Sequence, residues 1–97
     1  MNTILQEVKK ALRIAQTNAF DDEVTNLINA CLLDLQMVGI VNHVDTTSLN
    51  PYTLDVVKIY CKMNFGDVPP EEYDRLKASY DEKKAQLQMS TGFTVWL

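Results

Sequence analysis

Any chemistry in this chain has to come from few side chains. It holds one histidine, His43, and two cysteines, Cys31 and Cys61. The stretch NHVDTTS places His43, Asp45 and Ser48 together, the residue types of a base, its orienter and a nucleophile. Working triads converge from separate elements, because neighbours on one loop rarely reach each other in the needed geometry, so His43 reads as a solvated loop histidine. Cys31 and Cys61 each fall inside an apolar periodic segment, far apart in sequence, and read as buried free thiols rather than a disulfide or metal ligands. Asp21, Asp22 and Glu23 could chelate a cation, but three consecutive carboxylates at a helix start are accounted for by capping and the helix dipole. There is no glycine-rich phosphate loop. The expectation is a protein with no catalytic residue, no cofactor and no metal.

The elements that hold these residues are set by composition and pattern. A chain of 97 residues with 46% hydrophobic and 23% charged residues, and only three glycines and three prolines, is a single folded domain rather than a linker or a disordered tract. No apolar run approaches the roughly 20 residues that span a bilayer, and the basic residues of MNTILQEVKKALRI follow its first apolar ones, the reverse of a signal peptide. Synthesis and retention in a cytoplasm is the expectation. The net charge of −4 is unevenly spread, because no lysine or arginine occurs from residue 14 to 57, a stretch that holds Asp21, Asp22, Glu23, Asp34, Asp45 and Asp55. Such a centre repels phosphate, and no basic recognition helix is present, which argues against duplex recognition. Its simplest reading is a solvated polar face.

Apolar periodicity predicts about four helices. Ile4, Leu5, Val8, Leu12 and Ala15 mark an amphipathic helix over residues 2 to 15, with Lys9, Lys10 and Arg13 on its other side. Asp21, Asp22 and Glu23 open a second, where Val24, Leu27, Ile28, Cys31, Leu35 and Val38 form a stripe widened by Leu32, Leu33 and Met37, so this helix is expected to be the central one. Gly39 ends it, and IVNHVDTTSL reads as a long irregular connection or a short hairpin. Asn50 and Pro51 start a third helix carrying Leu54, Val57, Tyr60, Cys61 and Phe65, stopped by Gly66. The fourth, after a proline pair, has a narrow stripe of Tyr73, Leu76, Tyr80 and Leu87 among charges, with Asp74/Lys77 and Asp81/Lys84 spaced for i,i+3 pairs. The fold class is all-α: a compact bundle with a long loop between helices two and three.

The last ten residues, QMSTGFTVWL, carry no charged side chain. Gly92 can turn the chain, and Thr94 and Val95 favour an extended strand, with Phe93, Val95 and Leu97 on one face and Thr94 and Trp96 on the other. The domain is read as residues 1–90 and the apolar tail as 91–97. An apolar segment left in water gains nothing, so Phe93, Val95, Trp96 and Leu97 are candidates for docking on a partner, with closure of the chain's own core as the alternative.

The order LQEVKKALRI, FDDEVTNLINACLLDL, NPYTLDVVKIYCKMNFGD and YDRLKASYDEKKAQLQMSTGF resembles the small phage head-tail connector (adaptor) family of tailed bacteriophages and prophages. The likeness covers most of the chain and rests on the order of these segments rather than on a catalytic motif. The resemblance implies a non-enzymatic virion protein at the head-tail junction, assembled in the bacterial cytoplasm. It implies a homo-oligomeric ring, typically twelvefold, that sits beneath the portal protein, extends the DNA channel and receives a stopper or tail-completion protein. Such a conduit should be negative inside, because basic side chains would hold the duplex, and Asp34, Asp45 and Asp55 are the candidate lining residues. Double-stranded DNA would pass through without sequence-specific binding, and no membrane is involved. The alternative is a small host-side helical interaction module or regulator that sequesters a partner helix in an apolar groove.

Overall fold

The computed structural model describes residues 2–39 and 51–89, which form four helices and, among them, no strand. Helix α1 spans Asn2–Ala11, α2 Asp21–Met37, α3 Pro51–Asn64 and α4 Pro70–Met89. The architecture is all-α, as the periodicity predicts. The connection over residues 40–50 and the segment from residue 90 onward, including Asp45 and Phe93 to Leu97, lie outside the described residues.

Helix α1 buries Ile4, Leu5 and Val8 but ends at Ala11 rather than at residue 15. The Ile14 N–H donates to the Lys9 carbonyl (3.0 Å) and the Arg13 N–H to the Lys10 carbonyl (3.1 Å), with Arg13 at φ 63°. That is a Schellman stop with arginine at the left-handed position that glycine usually takes. Periodicity could not show it, because Leu12 and Ile14 stay packed against the core after the helix has stopped. Lys9 is a second departure. It is only 4% exposed, and its Nζ lies 2.8 Å from Asp21 Oδ1, an ion pair made outside hydrogen-bonding angles that ties the end of α1 to the start of α2.

At the start of α2 the residue in the capping position is Phe20, with no side-chain cap, so the acidic cluster acts from inside the first turn, where carboxylates favour the helix dipole. Val24, Ile28, Cys31 and Leu35 are wholly buried, while Leu33 is 58% and Met37 78% exposed. Helix α2 is therefore buried on one side only. Gly39, at φ 89°, ends it by donating its N–H to the Gln36 carbonyl (3.0 Å).

The central element is α3, which packs against all three other helices. It buries Thr53, Val56, Val57, Cys61 and Met63, and Leu54, Ile59, Tyr60 and Phe65 lie partly buried on the same core. The greater apolar content of α2 is spent partly on its outer face, which is why the expected order of burial is reversed. Helix α4 buries only Leu76, Tyr80 and Leu87, with Tyr73 packed at the edge, and is the solvated helix its pattern predicts. Its lysines are paired differently from the expectation: Lys77 reaches forward to Asp81 (3.1 Å), and Lys84 leaves its own helix for Asp34 (3.1 Å).

The left-handed conformation of Arg13 costs on the order of 1–2 kcal/mol relative to glycine, offset in part by the greater freedom of unfolded glycine. Arg13→Gly is expected to stabilise the fold by about 0.5 kcal/mol, and Arg13→Val, β-branched at the same φ, to destabilise it by about 1 kcal/mol or more. Urea unfolding midpoints of the two variants check the opposite signs.

Candidate functional site

Three carboxylates of the lysine-free centre are paired with lysines that lie outside it. Asp21 meets Lys9 of α1, Asp34 meets Lys84 of α4 at 3.1 Å, and Asp55 meets Lys83 of α4 at 3.2 Å. Glu7 of α1 is similarly approached by Lys58 of α3 at 3.8 Å. The separation of charge along the sequence therefore reflects which helices face each other. Most of these pairs are partly exposed, so each contributes a few tenths of a kcal/mol, and their main effect is to set register between helices.

The Asp34 site is the most built of them. The Tyr80 hydroxyl donates to Asp34 Oδ2 at 2.6 Å, the Lys84 ammonium donates to the same oxygen, and that ammonium lies 5.3 Å from the centre of the Tyr80 ring. Cys31 Sγ lies 3.9 Å from the Tyr80 hydroxyl, and Tyr60 packs on the Tyr80 ring with centroids 5.5 Å apart. The hydrogen bond from Tyr80 holds the Asp34 carboxyl below its ordinary value, assisted by Lys84 and opposed by partial burial. Burial, and then donation to Asp34, pushes the Tyr80 phenol upward. Burial likewise pushes the Cys31 and Cys61 thiols up to about 12. At neutral pH these groups are a carboxylate, a phenol and two thiols, so the cluster holds neither a nucleophile nor a poised base. It is a structural clamp between α2 and α4.

What the described surface offers is two unlike ends. Phe20 meets Phe65 edge-to-face at 5.4 Å, which places the start of α2 beside the end of α3 and the turn into α4. Asp22, Glu23, Asp67, Glu71 and Glu72 are exposed on those segments, and Arg75 pairs with Glu72 at 3.8 Å. A shallow groove lined by Met63, Val68, Pro69 and Tyr73 lies at the same turn. At the opposite end the Gln88 side chain donates to the Val38 carbonyl at 3.3 Å, bringing together the ends of α2 and α4. Exposed Met37 and Met89 belong to that end. From it Leu33, Ala30, Asn29 and Asn26 continue along the outside of α2, a face with no charged residue between Glu23 and the helix end except Asp34, which is held by Tyr80 and Lys84.

Of the residues singled out in the sequence, Asp34 and Asp55 are 40% and 57% exposed, on different helices, and each carries a lysine. Asp45, His43, Ser48 and the candidate docking residues Phe93, Val95, Trp96 and Leu97 lie outside the described residues. The sequence reading missed Lys84 and Tyr80 as partners of Asp34, since no local spacing links residues 46 to 50 positions apart. The exposed face of α2 was hidden because Leu33 and Met37 looked like core. Among the described residues no group of three or more His, Cys, Asp or Glu is placed to hold a metal ion, and no helix is long and apolar enough to cross a membrane. In comparison with known proteins, a family model described as phage connector protein matches residues 4–94. No curated protein and no solved structure gives a significant match.

The clamp predicts both limbs of the stability profile. Asp34 is more acidic folded than unfolded, so its contribution is present above its unfolded value near 3.8 and is lost as pH falls below that and through the folded value. Cys31, Cys61 and Tyr80 bind their protons more tightly when folded, so stability is full below about 9 and falls above it as the unfolded thiols, and then the phenol near 10, ionise first. Tyr80→Phe is expected to cost about 1 kcal/mol at pH 7, a charged hydrogen bond discounted for the exposure of Asp34, and to flatten the acid limb. Thermal melts of both chains from pH 3 to 10.5 check it.

Proposed function

Because this chain belongs to the phage connector protein family, matched over residues 4–94, we propose that it is the subunit of a homo-oligomeric ring at the head-tail junction of a virion. Family membership carries a phage connector role and a place among virion components. The ring, its position beneath a portal, its typically twelvefold order and its support of a stopper or tail-completion protein are this proposal.

The match over nearly the whole chain is the observation that carries the reading. Physical features support it. The clamp is chemically inert, consistent with a scaffold rather than an enzyme, and the lysines of α1 and α4 are turned onto carboxylates of the bundle rather than gathered into a phosphate-binding patch. A channel lining should be negative. Asp34 and Asp55 remain candidates for it together with Asp45, but the lysines beside the first two offset much of their field. The exposed carboxylates Asp22, Glu23, Asp67 and Glu71 have no such neighbour within ion-pair distance among the described residues, and we extend the proposed lining to them. Phe93, Val95, Trp96 and Leu97 are proposed as the docking segment, with Trp96 as anchor, since buried aromatics dominate such contacts.

Negative-stain imaging of the purified chain, alone at high concentration and with portal rings, is expected to show closed ring particles, because head-to-tail contacts that close generate rings. A chain that stays monomeric beside portal contradicts the reading. Mobility-shift titration with duplex DNA is expected to give no complex at physiological salt, and tight binding with a steep salt slope would instead mark a regulator.

A further inference from the structure

The outward face of α2 has no occupant within the described residues, and its composition narrows what can cover it. From Asn26 to Met37 it exposes Asn26, Asn29, Ala30, Leu33, Gln36 and Met37, and the one charge at its flank, Asp34, is 40% exposed and held by Tyr80 and Lys84. The other outward helix faces are charged: Glu7 and Lys10 on α1, and Glu71, Glu72, Asp74, Arg75, Lys77, Asp81 and Glu82 on α4. An apolar segment laid on those would have to desolvate charged groups, paired or not, whereas on α2 it would meet methyl groups and amides beside a single carboxylate, Asp34, already bound by Tyr80 and Lys84. The segment after Gln88 carries no charged side chain and includes Phe93, Val95, Trp96 and Leu97.

Length fits the segment to the face, and direction favours a neighbouring copy as its source. Five residues from Phe93 to Leu97, extended, cover about 17 Å, and the α2 face from Asn26 to Met37 is also about 17 Å long. The contact from Gln88 to Val38 shows that α2 and α4 finish at the same end, so the chain leaving α4 at Met89 heads away from the body of its own α2. Covering that helix in the same copy needs Gly92 to serve a complete reversal of direction and the chain then to pass around to the far side of α2. A neighbouring copy ahead of α4 needs none.

We propose that the outward face of α2, centred on Ala30, Leu33 and Met37, receives the segment Phe93–Leu97 of a second copy of this chain. The inference rests on the connector reading and specifies the contact that links one subunit to the next. It is a heterologous contact, tail onto face, which propagates around a ring rather than stopping at a dimer.

Two variants break opposite halves of the contact. Leu33→Glu with Met37→Glu spoils the face and keeps the tail, and a chain ending at Ser90 keeps the face and lacks the tail. Sedimentation velocity is expected to show oligomers for the unaltered chain, monomers for each variant with unchanged helical circular dichroism and melting temperature, and a 1:1 dimer when the two variants are mixed. Only a contact between copies produces that rescue. Oligomers retained by either variant, or no dimer in the mixture, overturn the proposal. So does an unaltered chain that stays monomeric. A fall in melting temperature of both variants shows that the tail covers its own α2 and overturns it equally. Portal binding by the unaltered chain in the same samples separates the two levels: binding without the rescue leaves the connector reading standing and removes this contact, and absence of both removes both.

Discussion

Much of this bundle depends on how α4 is held. A 20-residue helix that buries only Leu76, Tyr80 and Leu87 has little apolar area with which to dock. It packs chiefly on α3, and its link to α2 is made where Tyr80 reaches over the core to donate a hydroxyl hydrogen bond to Asp34 at 2.6 Å. A hydrogen bond to a carboxylate is stronger than one between neutral groups, and the Tyr80 ring that makes it packs on Tyr60 with the Lys84 ammonium 5.3 Å from its centre. With Tyr80 placed, Lys83 and Lys84 fall on Asp55 and Asp34, and Gln88 reaches the last turn of α2. The docking of α4 thus brings Lys84 onto Asp34, where it offsets the one charge that α2 carries beyond its first turn.

That cancellation links packing to function. Helix α2 is apolar nearly all round, a pattern that normally signals a helix enclosed on every side. Here α3 takes the enclosed position, and α2 keeps Leu33 and Met37 in solvent. A small domain that leaves large apolar side chains outside while pairing several of its charges across its own helices offers uncharged surface for contact with other proteins. For a member of a phage connector family, whose role is to join components of a particle, this division of the surface is the physical content of the assignment.

Where structure follows from local signals it was legible in the sequence. The acidic first turn of α2, Pro51 at the start of α3, and Gly39 and Gly66 after the helix ends are local devices, and the elements start and stop by them. The stop at Arg13 was not legible, because the left-handed residue is not glycine and the residues beyond it remain apolar. Lys9 was assigned to solvent since lysine normally faces it, and its partner Asp21 belongs to the next helix. Spacing pairs Lys84 with Asp81 on its own helix and assigns Lys83 no partner, yet both are used across the bundle. The order of burial failed for a deeper reason: periodicity measures how apolar a face is, not whether the chain itself or another molecule covers it. The candidate site was legible only as residue types, an uncharged tail and an acidic centre. The face of α2 opposite the core is defined only by how the helices pack.

Hydrogen–deuterium exchange on the chain alone and in a portal-bound assembly tests the central claim, that assembly uses the uncharged surfaces while the paired charges stay internal. The account predicts new protection in residues 26–39 and 91–97, with the amides around Tyr80 and Asp55 unchanged. Protection gained instead along the charged outer face of α4, with α2 and the tail exchanging as in the free chain, would contradict it.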